Sequence, residues 1–179
     1  FGEIALSHAD LAGVAFTGST ATGRWLNRAL AARDGAILPL IAETGGINAM
    51  IVDSTALPEQ VVDDAINSAF GSAGQRCSAL RLLCLQADTA PRILEMLEGA
   101  MNALIVGDPA ELATDVGPVI SAAAADGLRA HIAAMRRAGA RLLKQTALPA
   151  DAELERLARV SGIAATRFVP PTLLEIDDA

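Results

Sequence analysis

The sequence predicts an α/β fold, a parallel sheet with flanking helices. Three observations predict it. Apolar runs of strand length recur at residues 14–16, 37–42, 49–52 and 80–85. Longer segments with apolar residues at helical spacing alternate with them. The first two runs flank one such segment, and strand–helix–strand is the unit from which parallel sheets are built.

Val14-Ala15-Phe16 reads as a buried strand ending at Thr17-Gly18. Thr20 reads as the N-cap of a helix through Arg24, Leu26, Leu30 and Ala31, stopped near Asp34-Gly35. Arg24 falls on its surface and Trp25 on its core side. Residues 37–42 form a second strand that delivers Glu43 at its C-terminal end, and residues 49–52 follow Gly45-Gly46 as a third. Pro58 opens a helix, because its missing N–H costs nothing in a first turn. Val61, Val62, Ala65, Ile66, Ala69 and Phe70 make that helix's apolar face, and residues 71–74 break it with two glycines. A strand at 80–85 and a helix at 90–104 come next, closed by Val106-Gly107-Asp108-Pro109. A further helix covers 126–138, with Gly139 as its C′ residue. Leu142-Leu143 reads as a short strand, residues 149–163 as an insertion-like helix or loop, and residues 168–176 as a final strand around Pro170-Pro171.

Composition narrows the function. Of 179 residues, 52% are apolar and 20% charged, which supports a sizeable core. Lys and Arg number 14 against 21 Asp and Glu, a net charge of −7, which argues against binding nucleic acid or anionic membrane by bulk charge. Aromatics are 3% and Tyr is absent, so no base-stacking surface is expected. The two cysteines, Cys77 and Cys84, make no disulfide framework, and His8 and His131 lack the neighbours of a metal site. Such cysteine usage makes the cytoplasm the default compartment. No apolar run reaches the roughly 18–20 residues of a membrane span, and no signal peptide is visible. The chain opens on Phe1-Gly2-Glu3 without Met and closes on Asp177-Asp178-Ala179 without a cap, so it reads as an excerpt of a longer protein.

Three places have residues suited to chemistry. Gly18-Ser19-Thr20-Ala21-Thr22-Gly23 is a glycine-bounded turn from strand into helix. A helix N-terminus offers free N–H groups to a phosphate. Arg24-Trp25 stands where a P-loop has Lys and a hydroxyl residue, and G-x-G-x-x-G is absent. The alternative is an ordinary strand-to-helix turn. Glu43 is a lone acid at a strand's C-terminal end, where α/β sheets place ligands. Apolar surroundings would raise its pKa and suit it to general-base work; the alternative is a structural cap on the glycine turn. Cys77 follows a glycine-rich break among Gln75, Arg76 and Ser78, where a part-exposed thiol can be activated by cationic charge or free N–H groups. The alternative is an inert loop cysteine. Cys84, inside Leu82-Leu83-Cys84-Leu85, reads as a core residue.

Together these motifs carry a resemblance. Phe16-Thr17-Gly18-Ser19, Glu43-Thr44-Gly45-Gly46-Ile47-Asn48 and Gly74-Gln75-Arg76-Cys77 resemble, in order and spacing, the NAD(P)-dependent aldehyde dehydrogenases. Gly107-Asp108-Pro109, Asp115-Val116-Gly117-Pro118 and Phe168-Val169-Pro170-Pro171-Thr172-Leu173 extend the match over nearly the whole chain. Residues 39–54 and 72–81 look more narrowly like the aldehyde dehydrogenase half of bacterial bifunctional proline utilization proteins, PutA. That half oxidises L-glutamate γ-semialdehyde to L-glutamate with NAD, while FAD belongs to a separate proline dehydrogenase domain outside this chain.

The resemblance implies roles. Cys77 is the nucleophile and Glu43 the base that activates the deacylating water. Ser19 contacts the cofactor pyrophosphate and Gly18 lets the backbone come close to the cofactor, Thr44 and Gly45 line the nicotinamide region, and Ser78 helps bind the substrate carboxylate. Residues 1–43 become the end of an NAD-binding domain and residues 44–179 the start of a catalytic domain. The partners implied are a small-molecule substrate, the rest of the parent polypeptide and further copies of the parent, which is cytoplasmic or membrane-peripheral. NAD against NADP stays open. So do three other functions: a dehydrogenase for another aldehyde, a cysteine hydrolase or acyltransferase, and a non-catalytic module. Alone, the 179 residues are expected to be inactive and to fold poorly, since other residues of the site and sheet lie elsewhere in such a parent.

Overall fold

The computed structural model describes residues 2–176. Phe1 and Asp177-Asp178-Ala179, which prompted the reading of an excerpt, lie outside the described residues. The chain divides into two compact units, Phe1–Ile47 and Asn48–Ala179.

In the first unit, helix α1 (Gly2–Ser7), strand β1 (Val14–Thr17), helix α2 (Thr20–Ala31) and strand β2 (Leu40–Glu43) follow in order. β1 and β2 pair in parallel, from Val14 opposite Leu40 to Thr17 opposite Glu43. Leu6, Leu26 and Leu30 form the core, with Val14, Phe16 and Leu40 against it. Leu26 and Leu30 lie one turn apart, so α2 presents one stripe to the strands. Trp25 is off that stripe and 40% exposed, which corrects its expected core position. The cap is also one residue earlier than expected. Ser19 is extended at φ −73°, ψ 146°, and its Oγ accepts from the Thr22 N–H, so Thr20 already belongs to the first turn. β2 starts at Leu40, not at residue 37, because Pro39 has no N–H for a ladder; its carbonyl instead accepts from the Val14 N–H at 3.0 Å. Arg33 ties α1 down by donating to the carbonyls of Leu6 and His8.

The second unit has β3 (Asn48–Val52), α3 (Pro58–Phe70), β4 (Leu80–Leu85), α4 (Ala90–Ala103), α5 (Ala122–Arg137), β5 (Arg141–Gln145), α6 (Asp151–Ser161) and β6 (Thr172–Glu175). β3 and β4 are parallel, with α3 as the crossover and a register irregularity between Asn48 and Ala49. α3 and α4 cover the pair through Val61, Val62, Ala65, Ile93 and Leu97. Fully burying a side chain such as Ile93 or Leu97 contributes about 1.5–3 kcal/mol. A second core joins Val106, Val116, Leu154, Leu157 and Phe168.

The parallel β1–β2 and β3–β4 pairs and their helices bear out the expected α/β fold, and one strand pair departs from it. β5 and β6 are antiparallel, and each described strand pair stands as its own two-stranded ladder. The reason lies in α6, which resolves the ambiguous stretch at 149–163 as helix. It buries Leu154 and Leu157 against Val106, Val116 and Phe168, so it is not a crossover lying on β5. α5 starts at Ala122, four residues earlier than expected, because Ser121 accepts from the Ala124 N–H at 3.1 Å and four alanines follow. The last strand starts at Thr172 rather than at residue 168. Pro170 and Pro171 have no N–H to donate, and Phe168 is instead a fully buried core residue. Cys84, expected in the core, is half-buried in β4.

Two outcomes are expected. In the parent protein, Phe168→Ala should cost about 3–5 kcal/mol in urea unfolding, because it opens a cavity in the second core. Asp53 closes the turn after β3 by accepting from the Thr55 hydroxyl at 2.6 Å and the Thr55 N–H at 2.8 Å. These bonds, the hydroxyl first, hold the Asp53 carboxyl below its ordinary pKa. The folded state therefore gains stability above the ordinary aspartate pKa and loses it as pH falls through the depressed value. NMR titration should place Asp53 below its ordinary range, and Thr55→Val should move it back up.

Candidate active site

In the first unit, parallel pairing gathers the candidate residues. Glu43 lies opposite Thr17 at the C-terminal ends of β1 and β2. The Gly18 N–H adds one rung by donating to the Glu43 carbonyl at 3.0 Å. The start of α2 and Glu43 are thereby held side by side. The Thr20 and Ala21 N–H groups have no intrahelical acceptor, as at every helix start. The Ser19 hydroxyl is engaged in the cap, accepting from the Thr22 N–H at 3.2 Å and donating to Thr22 Oγ1 at 2.9 Å.

Close packing explains the two glycines bounding this turn. A Cβ on Gly18 would lie 2.5 Å from Phe16 Cζ, and one on the buried Gly23 would lie 3.3 Å from Thr44 Cγ2. Thr44 is half-buried against α2, whereas Gly45 is exposed with open space around its Cα. Glu43 is exposed too, which corrects the expectation of apolar surroundings. Its strand has only β1 beside it in the described residues, and Ala42 and Glu43 are both exposed.

In the second unit, the candidate residues lie on the loop between α3 and β4. Asn48 is its anchor: Nδ2 donates to the Cys77 carbonyl at 2.7 Å and to the Ala79 carbonyl at 2.9 Å. Both partners are acceptors, so the orientation of the carboxamide is forced. The Ala79 N–H closes a turn onto the Arg76 carbonyl at 3.1 Å. Cys77 and Ser78 ride on this turn, both exposed, while Ala79 is buried beneath. Arg76 donates to the Asn67 carbonyl at 2.9 Å, capping α3. Arg81 donates to the Gly74 carbonyl.

The approach to Cys77 is strained. Ser72, Ala73 and Gly74 have φ of 57°, 53° and 65°. A left-handed residue with a Cβ costs about 1–2 kcal/mol. Gly74 is also sterically required, since a Cβ there would lie 2.7 Å from the Ala69 carbonyl oxygen.

Gly18, Ser19, Glu43 and Thr44 are thus gathered in the first unit, and Cys77 and Ser78 in the second. Sequence reasoning assigned no role to Asn48, Gln75 or Arg81. The available signal was polarity: a carboxamide heading an apolar strand needs buried partners. Among the described residues, no group of three His, Cys, Asp or Glu side chains is placed to hold a metal ion. No described helix is long and apolar enough to cross a membrane. An exposed thiol on an anchored loop suits nucleophilic chemistry, and a carboxylate beside a helix N-terminus suits general-base chemistry next to a bound anion. In the parent protein, Asn48→Ala removes two bonds to backbone carbonyls and should lower unfolding stability by about 1–3 kcal/mol in urea titration.

Comparison with known proteins shows the family. The aldehyde dehydrogenase family matches residues 1–163. The bifunctional protein PutA of Klebsiella aerogenes is 52% identical over 168 residues, covering 92% of this chain and 12% of that protein. PutA of Escherichia coli K12 is 51% identical over 169 residues, covering 93% and 12%. The chain thus spans about an eighth of the length of these relatives. A crystal structure of a Bradyrhizobium japonicum proline utilization A (PutA) variant superposes with a TM-score of 0.83 at 53% identity, over 97% of this chain and 16% of that one. The chain belongs to the aldehyde dehydrogenase family.

Proposed function

We propose that this chain carries the nucleophile and the base of an NAD-dependent dehydrogenase that oxidises L-glutamate γ-semialdehyde to L-glutamate within a longer polypeptide. The observation that carries the reading is the exposed Cys77 on a loop pinned by Asn48. The relatives' PutA name supports the proline-derived substrate. Residues 1–43 belong to the NAD-binding domain and residues 44–179 to the catalytic domain. The parent is cytoplasmic or membrane-peripheral and self-associates, and any FAD sits in a separate domain.

The residues present fit the cofactor. The Thr20 and Ala21 N–H groups at the α2 N-terminus suit a pyrophosphate. Ser19 shapes that end through its cap, and Gly18 lets the chain pass closely. Thr44 and Gly45 would border the nicotinamide. NAD, when bound, accepts the hydride from the substrate carbon.

Cys77 Sγ, as thiolate, forms a bond to the aldehyde carbon. The Cys77 N–H would donate to the resulting oxyanion. The Ser78 hydroxyl would donate to the substrate's distant carboxylate. Once the hydride has left, the carbon remains bound to Sγ as a thioester. Glu43 takes a proton from water, the hydroxide attacks that carbon, and Cys77 leaves as thiolate.

NADH formation from pyrroline-5-carboxylate and NAD, followed by absorbance on the parent protein, tests this. Cys77→Ala should abolish turnover. Glu43→Gln should lower kcat by about 10²–10⁴-fold while leaving a first burst of NADH, because deacylation alone is slowed. A Cys77→Ala protein that still turns over, or a parent that prefers other aldehydes, would overturn the reading. The 179 residues by themselves should show no turnover.

A further inference from the structure

The left-handed run Ser72, Ala73 and Gly74 carries the chain from α3 to Cys77. Two of these residues have a Cβ, so the local chain favours leaving this conformation. Something outside the run must hold it.

Gln75 has the contacts to do so. Its N–H and its side-chain Nε2 both donate to the Ser72 carbonyl at 3.1 Å. Its Oε1 accepts from the Ile120 N–H at 2.7 Å, 45 positions along the chain. One end of the carboxamide meets a carbonyl and the other an N–H, so its orientation is fixed. The Ile120 segment is itself firm. Val119 is buried and exchanges two bonds with Arg167, N–H to carbonyl at 2.9 Å and Arg167 Nε to carbonyl at 2.7 Å. Ala73 packs on the core of Val106, Val116, Leu154, Leu157 and Phe168.

We propose that Gln75 is a positioning residue for Cys77: its carboxamide locks the left-handed turn to Ile120 and so fixes where the thiol stands. The proposal rests on the reading of Cys77 as the nucleophile. Gln75 is exposed, so replacing it removes little buried surface. Reaction geometry is far less forgiving, since a displacement near 1 Å costs about 10²-fold in rate.

The test uses the parent protein with Gln75→Met, which keeps the length without the bonds, and Gln75→Glu, which keeps an acceptor for the Ile120 N–H. In Gln75→Met, kcat for NADH formation from pyrroline-5-carboxylate should fall about 10–100-fold, with KM for NAD changed less than about 2-fold. Gln75→Glu should recover part of the loss. Iodoacetamide labelling of Cys77 should change in rate while Cys84 labelling and the thermal midpoint stay put. Wild-type kcat in both variants, with Cys77→Ala inactive, would overturn the positioning role alone. A fall in kcat matched by a lower midpoint and faster Cys84 labelling would overturn it in favour of plain stability. Turnover in Cys77→Ala would overturn the nucleophile reading and the proposal with it.

Discussion

The Asn48 carboxamide is the contact on which the thiol-bearing loop depends. Ala79 is buried, and a buried carbonyl needs a donor. The β3–β4 ladder cannot supply one there, because its register slips between Asn48 and Ala49. The Asn48 side chain takes the place of the missing rung and reaches the Cys77 carbonyl with its second N–H. The irregularity that weakens the ladder thus frees a side chain to anchor the loop that leads into β4.

The first unit solves a different problem by packing. Its polar features, Glu43 and the α2 N-terminus, are joined by one added rung from the Gly18 N–H. The chain there passes so close to the Phe16 ring that a Cβ on Gly18 would lie 2.5 Å from it, and the helix passes Thr44 closely enough that a Cβ on Gly23 would be tight at 3.3 Å. Here glycine is needed at Gly18 and Gly23 for close approach rather than for an unusual φ.

The loop before Cys77 shows local preference and tertiary structure in conflict. Left-handed Ser72 and Ala73 are unfavourable alone, yet the Ile120 backbone, Arg81 and the second core all act on the same short turn. Local rules are expected to fail where a fold positions reactive groups.

Much of this was legible in the sequence. Apolar periodicity located β1, β3, β4, α3 and α4, because an alternating or helical stripe is a local property of the chain. Element ends were read less well wherever a side-chain cap or a missing proline N–H decided them, as at Ser19, Ser121, Pro39 and Pro171. Trp25 was misplaced because one helical step separates the stripe facing the strands from solvent. The candidate site residues, Cys77, Glu43 and the Gly18-Ser19 turn, were visible as residue types in characteristic surroundings. What only the tertiary structure decided was their support: Asn48 under Cys77, Gln75 against Ile120, and an antiparallel β5–β6 pair. The physical reason is the same for all three. Hydrogen bonds between groups 27 to 45 positions apart leave no periodic trace in the chain and arise only when packing brings both partners to one place.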